Sequence, residues 1–526
     1  MVPASILSPA RGGTTANRVS PLSGLAWLMG LFRGLTPNVT YFIFLLTTAN
    51  LGTEFAPPFQ LLDFRSRIGM AARNAVSTSA LKEAEFDKAF SLLEQLVDLS
   101  RIDELCPLRN NAVYRNSVVL WMLVAQRMNP DSSLEAAVKL LIDSRPKLLP
   151  DNQRVTNRKL SSNTGAYSRG RDRLPLDAAD WLARQVSQSL IEAAPPTFEG
   201  RRVFLIDGTT LTLAPEEELQ RQFPPASNQH GAGVWPVALV VVAHELASGA
   251  ALVPALGAMY GPQAVSETRL MRDCLGQLPQ DGIVMADAGY GIFSVAWDVD
   301  QSQRSFVLRL TPQRFRALEK KSTLVESGPG GTTRALCWKP SPKERKNRPD
   351  LPPDAALQVR LHEIPAGDSG PLYLVTSLPQ AASSLAELYR RRGDVEIDIR
   401  NLKVVLNTEQ IRARSTAMFQ KEFLTSMVAY NLVIQFRRQA AEQAGLPPRR
   451  LSFKRTWTTF RQFLWTQPMC DAATWRARYA GALGYAMQDK LPNRPGRSYP
   501  REVYHRRPKS SHFPKRQRPG NSHPVK

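Results

Sequence analysis

Between Arg201 and Thr376 the chain repeats one pattern, in which short apolar runs are separated by turn residues or by helix-forming segments. Val203–Ile206, Val234–Ala243, Ala250–Ala258, Gly282–Ala286, Ser305–Leu310 and Leu372–Thr376 read as strands, and Ala264–Gln277 and Phe293–Gln301 carry helical periodicity. Strands that are apolar on both faces need cover on both sides, so this stretch is a mixed sheet between helices and not a helical bundle. Two of the runs end in aspartate: Ile206 leads into Asp207-Gly208, and Ala286 into Asp287-Ala-Gly-Tyr-Gly.

Three strands, then helix, strand, helix and strand, is the order of the ribonuclease-H-like fold. Residues 311–370 interrupt it with a Lys-, Arg-, Pro- and Gly-rich insertion holding β-prone pieces at Ala335–Trp338 and Leu357–Leu361. Active sites of α/β sheets gather at carboxyl strand ends. Asp207 and Asp287 are therefore either ligands sharing one hard divalent cation, which prefers carboxylate oxygen, or ordinary turn aspartates. After Thr376 a long helix follows, with Ser384-x-x-Glu387 as a capping box. At about 100° per residue, Tyr389, Arg392, Glu396, Arg400 and Lys403 share one face of it, while Asp394 and Asp398 point the opposite way. Glu396 is thus either a metal ligand beside phosphate-binding groups or one partner in surface ion pairs.

Charge narrows the partner. There are 68 Lys and Arg against 46 Asp and Glu, a net charge of +22, which predicts a polyanion. Much of it is concentrated: residues 145–173 hold eight basic and two acidic residues, and the Pro-rich tail from Leu491 holds ten basic residues and one Glu. The first segment reads as a phosphate-gripping loop or arm, and the tail as a disordered basic extension. Upstream, Ala80–Leu99, Tyr114–Arg127 and a helix capped by Ser133 form either a helix-turn-helix DNA reader or a small helical bundle. Residues 34–53 lack charge, but polar residues and Pro37 break the run below the length of a membrane span, so residues 1–70 are read as an uninformative extension. The four cysteines form no CxxC pair, which argues against a disulfide framework or a thiolate zinc site. His230 and His244 lack ligand-spaced partners and read as structural, and no Walker-A sequence supports ATP use.

Tyr389-x2-Arg392-x3-Glu396-x6-Lys403 resembles the YREK signature of the IS4-family transposases. The similarity continues through Ile411-Arg-Ala-Arg-Ser415 and Glu422–Val433. Asp207-Gly-Thr-Thr and Met285-Ala-Asp287-Ala-Gly-Tyr look like the family's two aspartate blocks, and Asn163-Thr-Gly-Ala-Tyr-Ser-Arg-Gly-Arg resembles a stretch that precedes its catalytic domain. At Ala288 the chain departs from many relatives, which carry a basic or bulky residue there.

The resemblance implies an α/β ribonuclease-H-like catalytic domain over 197–445, with the β-rich insertion at 311–370. An all-α DNA-binding domain with its basic arm would occupy 71–196, a helical region 446–490 and the tail 491–526. It implies a catalytic, metal-binding triad of Asp207, Asp287 and Glu396 holding two Mg²⁺ (or Mn²⁺) ions. Tyr389, Arg392 and Lys403 would bind DNA phosphates, and Trp338 is either a base-stacking residue or part of the insertion's core. The partners would be double-stranded DNA, as transposon ends and target, and a second copy of the chain in a synaptic homodimer. The implied activity is cut-and-paste transposition of a bacterial insertion sequence in the cytoplasm, at the nucleoid, without a membrane. The alternatives are a decayed transposase that only binds DNA, and a ribonuclease-H-like nuclease that cuts without joining.

Overall fold

The structure is a computed structural model that describes residues 86–492, apart from short stretches within that range. The N-terminal extension, His230 and nearly all of the basic tail lie outside the described residues, as does the start of the helix expected from Ala80.

Nine strands form one mixed sheet: β1 (Val203–Thr212), β2 (Val237–Glu245), β3 (Ala255–Ala258), β4 (Ile283–Ala286), β5 (Ser305–Arg309), β6 (Thr323–Gly328), β7 (Gly331–Trp338), β8 (Leu357–Ile364) and β9 (Leu372–Thr376). Their spatial order is β3-β2-β1-β4-β5-β9-β8-β7-β6. The first three are antiparallel neighbours, and β4 and β5 run parallel to β1. That is the ribonuclease-H-like arrangement. The insertion adds no separate layer: β6, β7 and β8 continue the same sheet as an antiparallel meander hydrogen-bonded through β9 to β5.

Alternation along the central strands decides the two cores. Val203, Leu205, Val240, Val242, Ile283, Met285 and Val307 face one side. Phe204, Ile206, Leu239, Val241, Val284, Phe306 and Leu308 face the other. This is the period of two of a sheet covered on both faces. Asp207 has the parity of Val203 and Leu205, so its side chain lies on the first face.

The principal helices are α1 (Asn116–Met128), α2 (Leu134–Ser144), α3 (Gly165–Arg173), α4 (Leu176–Glu192), α5 (Glu267–Leu275), α6 (Phe293–Gln301), α7 (Ala382–Arg390), α8 (Asp394–Arg400), α9 (Thr416–Gln443), α10 (Phe453–Trp465) and α11 (Ala472–Ala486). Ser133 caps α2 as expected, its Oγ accepting from the Ala136 amide at 3.1 Å. Ser415 caps α9 and Gly445, at φ 61°, follows its end. From Met418 to Arg437 α9 is almost wholly buried, because α1, α4, α10 and α11 pack around it. α1 is equally enclosed, with Val118 to Ala125 all buried.

Several expectations about local structure fail. In the described part of the helix read over Ala80–Leu99, Phe86–Asp87 is a short strand and only Lys88–Glu94 is helical. Residues 382–405 are not a single α-helix. α7 ends at Arg390, Arg391–Gly393 is a 3₁₀ turn, α8 follows, and Asn401–Val405 winds as a π-helix. Nor does Ser384 cap: Ala381 is the N-cap residue, without a side-chain bond, and Ser384 lies inside α7. No helix among the described residues is long and apolar enough to cross a membrane.

Candidate active site

β1 pairs in parallel with β4 only from Val203 to Leu205. β4 stops at Ala286, but β1 continues along β2 to Thr212. Asp207 is therefore a mid-strand residue and not the strand end that the apolar run suggested. It stands beyond the end of its parallel neighbour, beside Asp287. The turn after β4 is closed locally: Asp287 Oδ1 accepts the Gly289 amide at 2.8 Å and its carbonyl accepts the Tyr290 amide at 3.2 Å.

The 3₁₀ turn and α8 bring the remaining groups. Arg392 Nη2 lies 2.8 Å from Asp207 Oδ2 and 3.7 Å from Asp287 Oδ2, and Nη1 lies 2.7 Å from Glu396 Oε1. One guanidinium, 15% exposed, thus sits among three carboxylates contributed by three separate elements. Asp287 and Glu396 are half-open to solvent at 41% and 46%.

A fourth carboxylate stands close by. Glu267, the first residue of α5, packs over Gly208, where an added Cβ would come within 2.5 Å of its Cδ. An alanine at 208 would push that carboxyl away. Burial raises the Asp207 pKa to about 6; Arg392 and the Gly208 amide oppose the rise, while Asp287 and Glu267 add to it. Tyr290 is buried beneath the same groups, with its hydroxyl unpartnered among the described residues. Burial, with Glu267, Asp207 and Asp287 behind it, holds that phenol far above its usual range. Neither Glu267 nor the Tyr290 side chain stood out in the sequence. Glu267 opens an ordinary amphipathic helix, and only the fold lays that helix across β1.

The other expected residues divide. Tyr389 is buried, and its hydroxyl donates toward the Ala286 carbonyl at 3.4 Å, tying α7 to the end of β4 instead of facing solvent. Burial pushes its pKa up to about 12. Lys403 is half-buried in the π-helical segment, where the wider winding takes it off the 3.6-residue register assumed for a continuous helix. Trp338 is 5% exposed and meets Phe293 edge-to-face at 5.6 Å, packed in the second core. His244 is buried, with Nδ1 3.2 Å from the Gly249 carbonyl, and burial lowers its pKa. It is a packed structural residue.

The donors suit a hard divalent cation: all are carboxylate oxygens, and they already gather around a cationic group. Their spacing is that of a guanidinium-bridged cluster, and among the described residues no three His, Cys, Asp or Glu close into a metal-ligating group.

The basic segment is partly helical. Arg154, Lys159, Arg169 and Arg173 line an open cavity of about 1160 Å³ with Tyr114 and Asn163, and among the described residues no carboxylate lines it. Arg171 is used otherwise: with Arg127 it clamps the buried Glu422 of α9.

Residues 198–432, which enclose Asp207, Asp287, Arg392 and Glu396, match the family model of the transposase DDE domain. This match supports a DDE transposase with a metal-dependent polynucleotidyl transferase or nuclease activity. No curated protein sequence matches the chain. Among solved structures, a cryo-EM structure of the piggyBac transposase synaptic complex with hairpin DNA is similar at 12% identity, over 78% of this chain and 87% of that one, with a TM-score of 0.35. A score that low adds nothing to what the strand order already says of the fold.

Proposed function

We propose that the chain is the transposase of a bacterial insertion sequence of the IS4 type, which cleaves transposon ends and joins them to target DNA. One observation carries this reading: Asp207, Asp287 and Glu396, from three elements, converge on a single cation at the carboxyl edge of the parallel strands. Three carboxylates gather around one guanidinium, and their oxygens are the donors a hard divalent cation prefers.

In this reading Asp207, Asp287 and Glu396 hold two Mg²⁺ (or Mn²⁺) ions. When bound, such a pair activates the attacking oxygen and stabilises the leaving 3′ oxygen of an in-line displacement. Arg392, which stands among these carboxylates, has the planar fork that would suit a DNA phosphate beside the cations. Lys403 supplies a second phosphate contact. Tyr389 supports the site through Ala286 more than it grips DNA. The basic cavity around Arg154, Lys159, Arg169 and Arg173 holds the duplex backbone at a distance from the cut. The partners are double-stranded DNA, as ends and target, and a second copy of the chain, and the setting is the bacterial nucleoid.

The test is a purified full chain, DNA carrying the element's ends, and a Mg²⁺ series. Nicking of the end followed by joining to target is expected. Nicking that never proceeds to joining would favour a ribonuclease-H-like nuclease, and tight end binding without cutting would favour a decayed DNA-binding protein. Cleavage that survives Glu396→Gln removes the triad assignment.

A further inference from the structure

The helix that carries Glu396 is held from behind by a residue much later in the chain. Glu396 faces Arg392 and the two aspartates, while Asp394 and Asp398 leave α8 on the other side. Asp398 is buried, 1% exposed. Arg449 meets it with both prongs: Nη1 donates to Oδ1 at 3.0 Å and Nη2 to Oδ2 at 2.7 Å. Its Nε donates to the Leu246 carbonyl at 2.6 Å and lies 3.6 Å from Asp394 Oδ2, and Nη2 reaches the Glu245 carbonyl at 3.3 Å. Arg391, just before α8, donates to that same Leu246 carbonyl at 3.0 Å.

The anchoring turn is itself hydrogen-bonded to α9. Residues 246–254 connect β2 to β3, and Gly249, at φ 81°, lets this connection come close. A Cβ there would lie 3.1 Å from Asp398 Oδ1 and 3.4 Å from Arg449 Nη2. Tyr430 donates to the Gly249 carbonyl at 2.9 Å, and Asn431 exchanges two hydrogen bonds with Ala251 at 2.9 and 2.8 Å. α8 cannot roll about its axis or slide along β1 without breaking the two-pronged pair. A buried carboxylate that loses a two-pronged partner is costly to leave behind.

We propose that Arg449, outside the segment matching the DDE domain, is a positioning residue for Glu396: its grip on Asp398 and Asp394 sets the rotation of α8, and thus the reach of Glu396 toward Asp207 and Asp287. The proposal rests on reading those three carboxylates as the reacting centre. A misplacement of 1 Å can cost about 10²-fold in rate, so an anchor behind the helix matters to the chemistry in front of it.

The experiment measures end cleavage, DNA-end affinity and melting temperature for the full-length Arg449→Ala, Arg449→Lys, Asp398→Asn and Arg449→Ala/Asp398→Asn variants. Arg449→Ala is expected to lower turnover about 10- to 100-fold with unchanged affinity for the end. Arg449→Lys, which keeps the charge but not the fork, should fall between it and the wild type. The double variant should be no slower than the slower single one, since both changes break the same pair. If Arg449→Ala does not fold, Arg449→Lys carries the test: reduced turnover at unchanged affinity supports positioning, and wild-type turnover overturns it. Turnover, affinity and melting temperature falling in proportion across the variants would also overturn it, since that pattern is general loss of structure. Glu396→Gln, run alongside, separates the two claims. If it cleaves like the wild type, the triad is wrong whatever Arg449 does.

Discussion

Two ionic clusters in this molecule are built in opposite proportions. Around Arg392 one cation serves three carboxylates, two of them half-open to solvent. Around Glu422 one carboxylate, 6% exposed, is served by two cations, Arg127 and Arg171. The second cluster joins α1 and α3 to α9 and pairs its buried anion fully. The first gathers three carboxylates on one guanidinium, with two of them open to solvent. Burial with compensation makes a joint, whereas carboxylates gathered at an accessible edge make a place for an added cation.

That contrast can be broken by measurement. The largest effect is expected at the open cluster: Asp207→Asn or Glu396→Gln should reduce end cleavage by on the order of 10³-fold or more while DNA binding persists. Parallel loss of binding would put these carboxylates in the structural class. Next comes Glu422→Ala, which leaves two arginines buried without an anion. It should cost about 3–5 kcal/mol in urea-induced unfolding, and an unchanged midpoint would show that the joint is dispensable.

His362 is a buried titratable residue with no ion pair among the described residues. It is fully buried, with Nδ1 3.1 Å from Thr333 Oγ1, and its pKa is lowered to about 4, chiefly by burial and then by Arg360. An unfolded histidine titrates near 6.5, so the unfolded chain binds the proton first. The contribution of the neutral side chain is complete above pH ~6.5 and is lost as pH falls from there toward 4, a change of about 3 kcal/mol. His362→Gln should flatten the stability profile in that window; an unaltered slope would refute the assignment. The smallest effect is expected at Arg221–Glu217, an exposed pair at 2.8 Å. Arg221→Ala should change stability by less than about 1 kcal/mol.

Much of the catalytic fold was legible along the chain because sheets covered on both faces demand apolar runs, and those runs can be counted in order. Asp207, Asp287 and Glu396 were legible for a related reason. A charged residue bordering an apolar strand, or sharing a helix face with arginine, is conspicuous. Trp338 was open to two roles, because an aromatic residue in a strand looks alike whether it packs on Phe293 or waits for a base. The 3₁₀ and π segments on either side of α8 left no local mark, so a single 3.6-residue phase does not carry through from Tyr389 to Lys403. Asp398 lay on the supposedly idle side of the helix, and its partner Arg449 is 51 residues away.

The sequence by itself marked the central strands in their chain order and the two-sided core, since both follow from periodicity, and it singled out three carboxylates that only a family resemblance joined into one set. Only the tertiary structure decided which cation stands among those carboxylates, that Glu267 and Tyr290 border them, and that Arg449 braces the helix behind Glu396. The physical reason is that ion pairs and hydrogen bonds act over about 3 Å in space, with no regard for separation along the chain. Arg392 and Asp207 are 185 residues apart. No period in the sequence encodes that distance; it exists only once β1 and the turn into α8 have been packed side by side.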